Sequence, residues 1–267
     1  MVSSTKLDLA GHSRLTFMAG NLLWRFVRRL QVNSDLDRDD CEAVTTLPWK
    51  LTKRRRHSYV LREGDLVSEI SILLEGFAER QKHTGEGARQ IVSFAVAGDP
   101  LDLDCLFLGE PDFSVQMCTE GVVASVRAKT LNALIDRRPR IGKAITTALL
   151  ADGAVFAEWI VNTGRRDARQ RIAHLLCEIL SRLRTQDIAI EPFELPFTQE
   201  QLADATGLTS VHVNRVLRQL TSEGAIRRDR RFIHVPDWDL LVKIADFDPR
   251  FLHIHERMEA APALEQC

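Results

Sequence analysis

The stretch Thr198-Gln199-Glu200-Gln201-Leu202-Ala203-Asp204-Ala205-Thr206-Gly207-Leu208-Thr209-Ser210-Val211-His212-Val213-Asn214-Arg215-Val216-Leu217-Arg218-Gln219-Leu220 decides how this chain is read. Thr198 with Gln201 is a capping box, and it predicts a short helix over Gln199 to Thr206. Gly207-Leu208 then turns the chain sharply into a second helix beginning at Thr209, which makes a helix-turn-helix pattern. The second helix buries Val213, Val216, Leu217 and Leu220. At about 100° per residue its opposite face presents Val211, Arg215, Arg218 and Ser222, flanked by Asn214. Gly224 ends it, and Ala225 to Val235 alternates apolar and basic residues about Asp229-Arg230, as a two-stranded wing would.

A helix that enters a major groove needs few bulky residues at its front, a side chain for base edges and cations for phosphates. Arg215 suits a bidentate contact to guanine O6 and N7, worth ~1–3 kcal/mol of discrimination, and Asn214 suits an adenine edge or a phosphate. Val211, apolar and one turn ahead of Arg215, suits a thymine methyl and is read as a specificity residue. Ser210 and His212 lie where helix N-termini meet phosphates; His212 serves there as a neutral donor or else packs as a surface imidazole. Arg218 is a further DNA-binding candidate on the outward face, and Arg227, Arg228 and Arg230, with Arg231, would contact the flanking backbone and make affinity salt-dependent. From Arg215 to Arg231 six arginines stand against Glu223 and Asp229, a positive patch in a chain whose formal net charge is −1. Charge alone favours a solvated helix face for that run, and it is the helix-turn-helix pattern that makes it a candidate polyanion footprint.

Upstream, Thr185 to Pro196 reads as a polar connection. Asp167 starts a helix whose Ile172, Leu175, Leu176, Ile179 and Leu183 follow helical spacing, and Gly164 is predicted to stop the helix before it. That earlier helix carries a broad apolar stripe of Ile141, Ile145, Ala148, Leu149, Val155, Phe156, Trp159 and Ile160, with only Gly153 as a possible break. The stripe needs a partner surface, either a second copy of itself or the preceding domain. From Leu47 to about Val126 short apolar segments alternate with Gly-Asp and other glycine turns, which predicts an all-β barrel or sandwich. Glu69 to Leu74 and Gln90 to Ala97 are its core strands, and Thr84-Gly85-Glu86-Gly87 is a hairpin turn. Leu22, Phe26 and Leu30, with Arg25, Arg28 and Arg29 between them, predict an amphipathic helix at the start. Beyond Asp246 the chain reads as a solvated tail, its His253-Ile254-His255 string included.

With 267 residues, 45% hydrophobic and 27% charged, the chain has globular composition and is long enough for two domains. The apolar run Leu15 to Trp24 is too short to span a bilayer and lacks a small-residue cleavage site, so no membrane partner is expected. Five widely spaced cysteines, an odd count, fit free thiols and a cytoplasmic location. Walker A, Rossmann glycine and His-Glu-x-x-His patterns and paired-cysteine zinc spacing are all missing, so an enzyme is not expected.

The order of glycine-rich β-barrel, long apolar helix, Gly164-Arg165-Arg166-Asp167-Ala168 and Leu208-Thr209-Ser210-Val211-His212-Val213-Asn214-Arg215 resembles the Crp/Fnr superfamily of bacterial transcription regulators, from about Asp35 to Leu240. The resemblance implies an α+β fold with a double-stranded β-helix (jelly-roll) sensor domain, a long dimerisation helix and a C-terminal winged helix-turn-helix. The boundaries expected are an N-terminal helical segment over 1–40, a cyclic-nucleotide-binding-like barrel over 41–135, the dimerisation helix over 136–163, the DNA-binding domain over 164–240 and a tail over 241–267. It implies a homodimer joined through the helix around Ile141 to Ile160, double-stranded palindromic DNA as partner, and RNA polymerase as a further candidate partner. Arg215 matches the family's recurrent base-contacting arginine. Val211 stands where better-known branches carry an acidic residue, so their operators are not carried over.

The ligand side departs from the cyclic AMP pattern, in which a Gly-Glu pair soon after the Gly-Asp turn and a later Arg-Ser or Arg-Thr pair hold the nucleotide. Here Gly98-Asp99 is followed by Pro100-Leu101-Asp102-Leu103-Asp104 and the later segment reads Phe113-Ser114-Val115-Gln116, so no arginine awaits a phosphate and Asp102 and Asp104 would repel one. Gly109-Glu110 lies too late in the chain to replace the pair. Only Cys41 precedes the barrel, against the cysteine cluster of iron–sulfur members, and His57 and His83 read as surface positions, not haem ligands. No cofactor is expected, and Cys105 and Cys118 read as buried thiols rather than a redox pair. The competing reading is an effector-binding or redox-responsive interaction module whose DNA reading is lost; the outward Val211, Asn214, Arg215 and Arg218 argue against it.

Overall fold

The computed structural model describes residues 22–186, 193–194, 196–229 and 232–254. Two short helices come first, α1 over residues 22–31 and α2 over Arg38–Thr45, the latter started by the Asp37 side chain accepting the Asp40 backbone N–H. The barrel follows as two antiparallel sheets. One has the order β1 (Lys50–Arg54), β7 (Gly121–Arg127), β3 (Glu69–Glu75), and the other the order β2 (Tyr59–Leu61), β6 (Ser114–Met117), β4 (Ala78–His83), β5 (Arg89–Ala95). Leu61, Leu73, Val115, Met117 and Val123 fill the space between them.

Strand β3 is buried on both faces: Leu73 points into the barrel, while Ile70, Ile72 and Leu74 meet Phe26 and Leu30 of α1. This is why Ile70, Ile72, Leu73 and Leu74 lie on both faces of the strand, with Ser71 as the one polar residue among them. The expected core strands are β3 and β5, and the predicted hairpin turn is present, with the Thr84 N–H donating to the Ala88 carbonyl and the Gly87 N–H to the Thr84 carbonyl, each at 2.9 Å. At Gly98 (φ +97°) a Cβ would lie 2.8 Å from the Arg25 carbonyl oxygen, so only glycine lets the turn after β5 close under α1. A four-residue helix α3 (Cys105–Leu108) leads from that turn toward β6.

The long helix expected over 136–163 is present, and a shorter helix that was not expected precedes it, mostly inside the stretch given to the barrel. Helix α4 (Ala128–Arg137) ends at the extended residue Arg138, and Pro139 opens α5 (Pro139–Arg165), where its missing N–H costs nothing. Helix α5 passes through Gly153 and also through Gly164, which does not stop it as expected. The helix ends where Arg166 becomes extended to reach Asp167, whose side chain and Gln170 cap α6 (Ala168–Arg184) reciprocally. By length and composition α5 is apolar enough to cross a membrane. Here Ile141, Ile145, Ala148, Val155 and Trp159 are buried within the chain, and Asp152, midway along it, is ion-paired to Arg29 and Arg80.

Helix α6 runs through the second core, every residue from Ile172 to Leu180 being buried. Around it lie α7 (Gln199–Thr206), α8 (Ser210–Ser222), β9 (Arg227–Asp229), β10 (Phe232–His234) and α9 (Trp238–Ala245). Two sequence expectations are corrected here. The connection from Thr185 to Pro196 contains a strand, β8 (Phe193–Glu194), that pairs with β10, so the wing is a three-stranded sheet of order β8-β10-β9. The chain beyond Asp246 does not begin as a solvated tail, because Phe247 and Leu252 are buried and the Phe247 and Phe251 rings pack against His174 of α6. His255 and everything after it lie outside the described residues.

Candidate nucleic-acid interface

Helix α7 begins with the predicted capping box, the Thr198 hydroxyl accepting the Gln201 N–H at 3.1 Å and the Gln201 side chain accepting the Thr198 N–H at 2.9 Å. Gly207 takes the left-handed conformation (φ +64°) that reverses the chain. Thr209 caps α8 by accepting the His212 N–H at 3.2 Å, so the helix proper starts one residue later than expected, at Ser210. Val213, Val216, Leu217 and Leu220 are fully buried against the second core. Gly224 (φ +82°) lies just past the last turn.

The outward face follows from that burial. Val211 is 82% exposed, an unusual placement for a β-branched apolar residue with no folding contact. Ser210, Arg215, Arg218 and Ser222 are exposed, and His212 and Asn214 are half-buried on the flanks. Arg227 is exposed and Arg228 half-buried on β9. Of the residues singled out from sequence, Arg230, with Arg231, lies outside the described residues.

Three positioning arginines carried no motif and were missed from sequence. Arg171 of α6 donates to the Thr206 carbonyl at 3.0 Å and to the Arg166 carbonyl at 2.8 Å, tying the end of α7 to the start of α6. Arg169 grips Glu223 at 2.9 and 2.7 Å, and this hydrogen bonding holds the Glu223 carboxyl below the usual glutamate range. The acidic residue at the end of α8 is thereby paired by a neighbouring helix, which leaves the exposed Arg215 and Arg218 unopposed by it. Arg184 stacks over the Trp238 ring at 3.9 Å and pins α9 to α6.

On the sensor side, Asp102 is buried and its carboxylate accepts the Ser71 N–H at 2.6 Å; burial pushes its pKa up to about 7. Asp104 is half-buried, and Gly109-Glu110 is an exposed loop. No arginine stands in the Phe113-Ser114 segment, but arginines from elsewhere in the fold converge nearby. Arg80 of β4 lies over the Phe113 ring and donates to the Pro100 carbonyl at 2.8 Å and to Asp152 at 3.2 Å. Arg29 pairs with Asp152 at 3.0 Å and with Asp99 at 3.5 Å, and Arg182 pairs with Asp99 and Glu178. Their convergence is a tertiary property that no local motif announces. His57 and His83 are exposed. Cys105 and Cys118 are buried free thiols; burial pushes Cys105 up to about 12 and Cys118 well above the usual thiol range, which suppresses the thiolate that redox chemistry needs.

The stripe, for which a second copy and the preceding domain were both candidate partners, is used mostly inside the chain, since Ile141, Ile145, Ala148, Val155 and Trp159 are buried and Leu149 and Phe156 half-buried. The open face of α5 carries a different series: Lys143, Thr146, Leu150, Gly153, Ala157, Ile160 and Gly164, all exposed. Their spacing alternates between three and four residues, the period of a coiled-coil seam, with Leu150 71% and Ile160 72% exposed.

Comparison with known proteins agrees with both halves. Residues 51–138 match the family described as cyclic nucleotide-binding domain, and residues 170–244 match the Crp-like helix-turn-helix domain. The chain is 27% identical over 203 residues to the transcriptional activator protein FnrL of Cereibacter sphaeroides, covering 71% of this chain and 77% of that protein. It is 29% identical over 167 residues to the nitrogen fixation regulation protein FixK of Bradyrhizobium diazoefficiens, covering 62% and 70%. The fold is similar to that of FixK2 from Bradyrhizobium japonicum, with a TM-score of 0.68 at 20% identity over 74% of this chain and 98% of that one. With a nucleotide-binding-type barrel, a long connecting helix and a Crp-like helix-turn-helix in one chain, the protein belongs to the Crp/Fnr superfamily and is a DNA-binding transcription regulator of that type.

Proposed function

We propose that the protein works in the cytoplasm as a homodimer that reads inverted-repeat DNA, one α8 helix entering each half-site. The reading rests on one observation above all: α8 buries its apolar side completely while Val211, Arg215 and Arg218 stand exposed on the other. Arg215 is assigned to a guanine edge, Val211 to a thymine methyl and Asn214 to an adenine edge or phosphate. Ser210, His212, Arg218, Arg227, Arg228 and Arg230 are assigned to the phosphate backbone. The exposed seam from Lys143 to Gly164 is assigned to the second copy, and two-fold symmetry then sets half-sites about one helical turn, ~34 Å, apart. The name of FnrL, a transcriptional activator, favours activation and contact with RNA polymerase.

The barrel is assigned an input other than cyclic AMP. Arg80 is already engaged by Asp152 and the Pro100 carbonyl, and Asp99 and Asp152 stand beside it, so the arginine is not free for a cyclic phosphate. Selection of bound duplexes from a random pool by the purified protein tests the proposal. Enrichment of an inverted repeat, lost on Arg215→Ala with the circular dichroism spectrum intact, is the expected result. Failure to enrich any sequence, with or without cell extract, overturns it.

A further inference from the structure

The helix-turn-helix does not hang free of the barrel. Its first helix, α7, docks on the β4–β5 hairpin through a compact polar network with an aromatic floor. Glu79 of β4 is 1% exposed, and its carboxylate accepts from Gln201 of α7 at 2.6 Å and from the Cys118 thiol at 3.4 Å. Arg89, at the start of β5, donates to the other Glu79 oxygen at 3.2 Å and clamps Asp204 of α7 at 2.7 and 2.6 Å. The Gln90 amide donates to the Asp204 carbonyl at 2.6 Å. Beneath them the Phe94 and Phe197 rings stack at 3.9 Å. Burial works against the charge on Arg89, but Asp204 and Glu79 outweigh it and raise its pKa.

We propose that Glu79, Arg89, Gln201 and Asp204 form a latch that fixes the recognition helix relative to the barrel, in the orientation a dimer needs to engage both halves of an inverted repeat. The proposal rests on the homodimer reading above. Its sign comes from exposure: with the latch closed, Val211, Arg215 and Arg218 remain open to solvent, so the contact presents the recognition face and does not mask it. Glu79 is the shared acceptor, which places a single barrel carboxylate in contact with α7 directly through Gln201 and indirectly through Arg89 and Asp204. A shift of the β4–β5 hairpin therefore reaches the helix-turn-helix without passing through α5. Holding two linked reading heads rigidly at the right separation raises affinity for a paired site and leaves each head's own affinity alone.

Arg89→Gln and Asp204→Asn open the latch from its partly exposed rim, and Asp204→Asn keeps the test available if Arg89→Gln fails to fold. Each full-length variant is compared with wild type for binding to a selected inverted-repeat duplex and to a duplex carrying one half-site. Small-angle X-ray scattering of the DNA-free protein is measured alongside. The expected result is a fall of about tenfold in the ratio of repeat to half-site affinity, with a larger maximum dimension in scattering. An unchanged or raised ratio, or unchanged scattering, overturns the latch. If the wild type itself enriches no inverted repeat, the homodimer reading fails instead, and scattering alone decides the latch.

Discussion

Arg80 on β4 and Asp152 on α5 are ion-paired at 3.2 Å, with both side chains largely withdrawn from solvent. Asp152 also takes Arg29 of α1 at 3.0 Å, so one carboxylate ties the barrel and the N-terminal helix to the middle of the long helix. Burial pushes this carboxyl up, but Arg80, Arg29 and Arg182 more than offset that and hold it below the usual range.

Replacing Asp152 by Asn removes the carboxylate that Arg80 pairs with and leaves Arg29 the longer pair with Asp99 at 3.5 Å, at nearly unchanged side-chain volume, and the expected loss is about 3 kcal/mol. A depressed carboxyl pKa stabilises the fold above its unfolded value and is lost as pH falls through the folded one. Urea unfolding at pH 7 measures the loss, and a midpoint equal to wild type would count against this account of the junction.

His174 and Asp102 predict opposite pH slopes. His174 is buried against Phe247 and Phe251, and its Nε2 lies 3.3 Å from Glu158, which Arg166 holds at 2.6 Å. Burial first, and Arg166 second, lower its pKa from 6.5 to about 3, so the unfolded chain binds the extra proton between those values and stability falls as pH drops below 6.5. The slope is about 1.4 kcal/mol per pH unit. Asp102, raised to about 7, does the reverse: the folded state holds the extra proton, and stability falls as pH rises from 3.8 toward 7. The two effects offset in the wild type. Unfolding of Asp102→Asn between pH 4.5 and 6 should therefore fall with acid more steeply than wild type, and His174→Phe less steeply. Parallel curves for all three proteins would refute the assignment.

On α8, Arg215→Ala should cost ~1–3 kcal/mol of affinity for the selected site and relax specificity at one base pair. Arg218→Ala and Arg227→Ala should weaken all sequences alike and reduce the salt slope of log affinity by about 0.9 each. Fluorescence anisotropy across a salt series separates the two behaviours. A specificity change at Arg218, or a salt slope unaltered by both backbone variants, would reverse the roles.

Leu150→Glu and Ile160→Glu place charges on the exposed seam of α5 without touching the packed face. Sedimentation should show monomer where wild type sediments as dimer, with thermal unfolding of the protomer little changed. Dimers that persist in both variants would move the interface elsewhere.

Local chemistry carried much of this into the sequence. The Thr198–Gln201 capping box, Gly207 and the four buried positions of α8 are readable because capping and helical periodicity act within one or two turns. Val211 and Arg215 could be assigned outward from the same arithmetic. Strand β8 was not readable, since two residues gain strand character only by pairing with β10, far along the chain. Nor was the true open face of α5: its apolar stripe is fuller than the seam, and only the barrel and α6 packing against it reveal which side remains free.

The Asp152 and Glu79 networks mark the boundary most clearly. Which residues start, turn and end each element follows from forces acting over a few residues, and so is written in their order. Which carboxylate meets which guanidinium, across separations of 72 residues for Arg80 and Asp152 and 115 for Arg89 and Asp204, depends on how completed elements pack. A charge in the sequence has no partner until folding removes the water between the two, and only the tertiary structure decides where that happens.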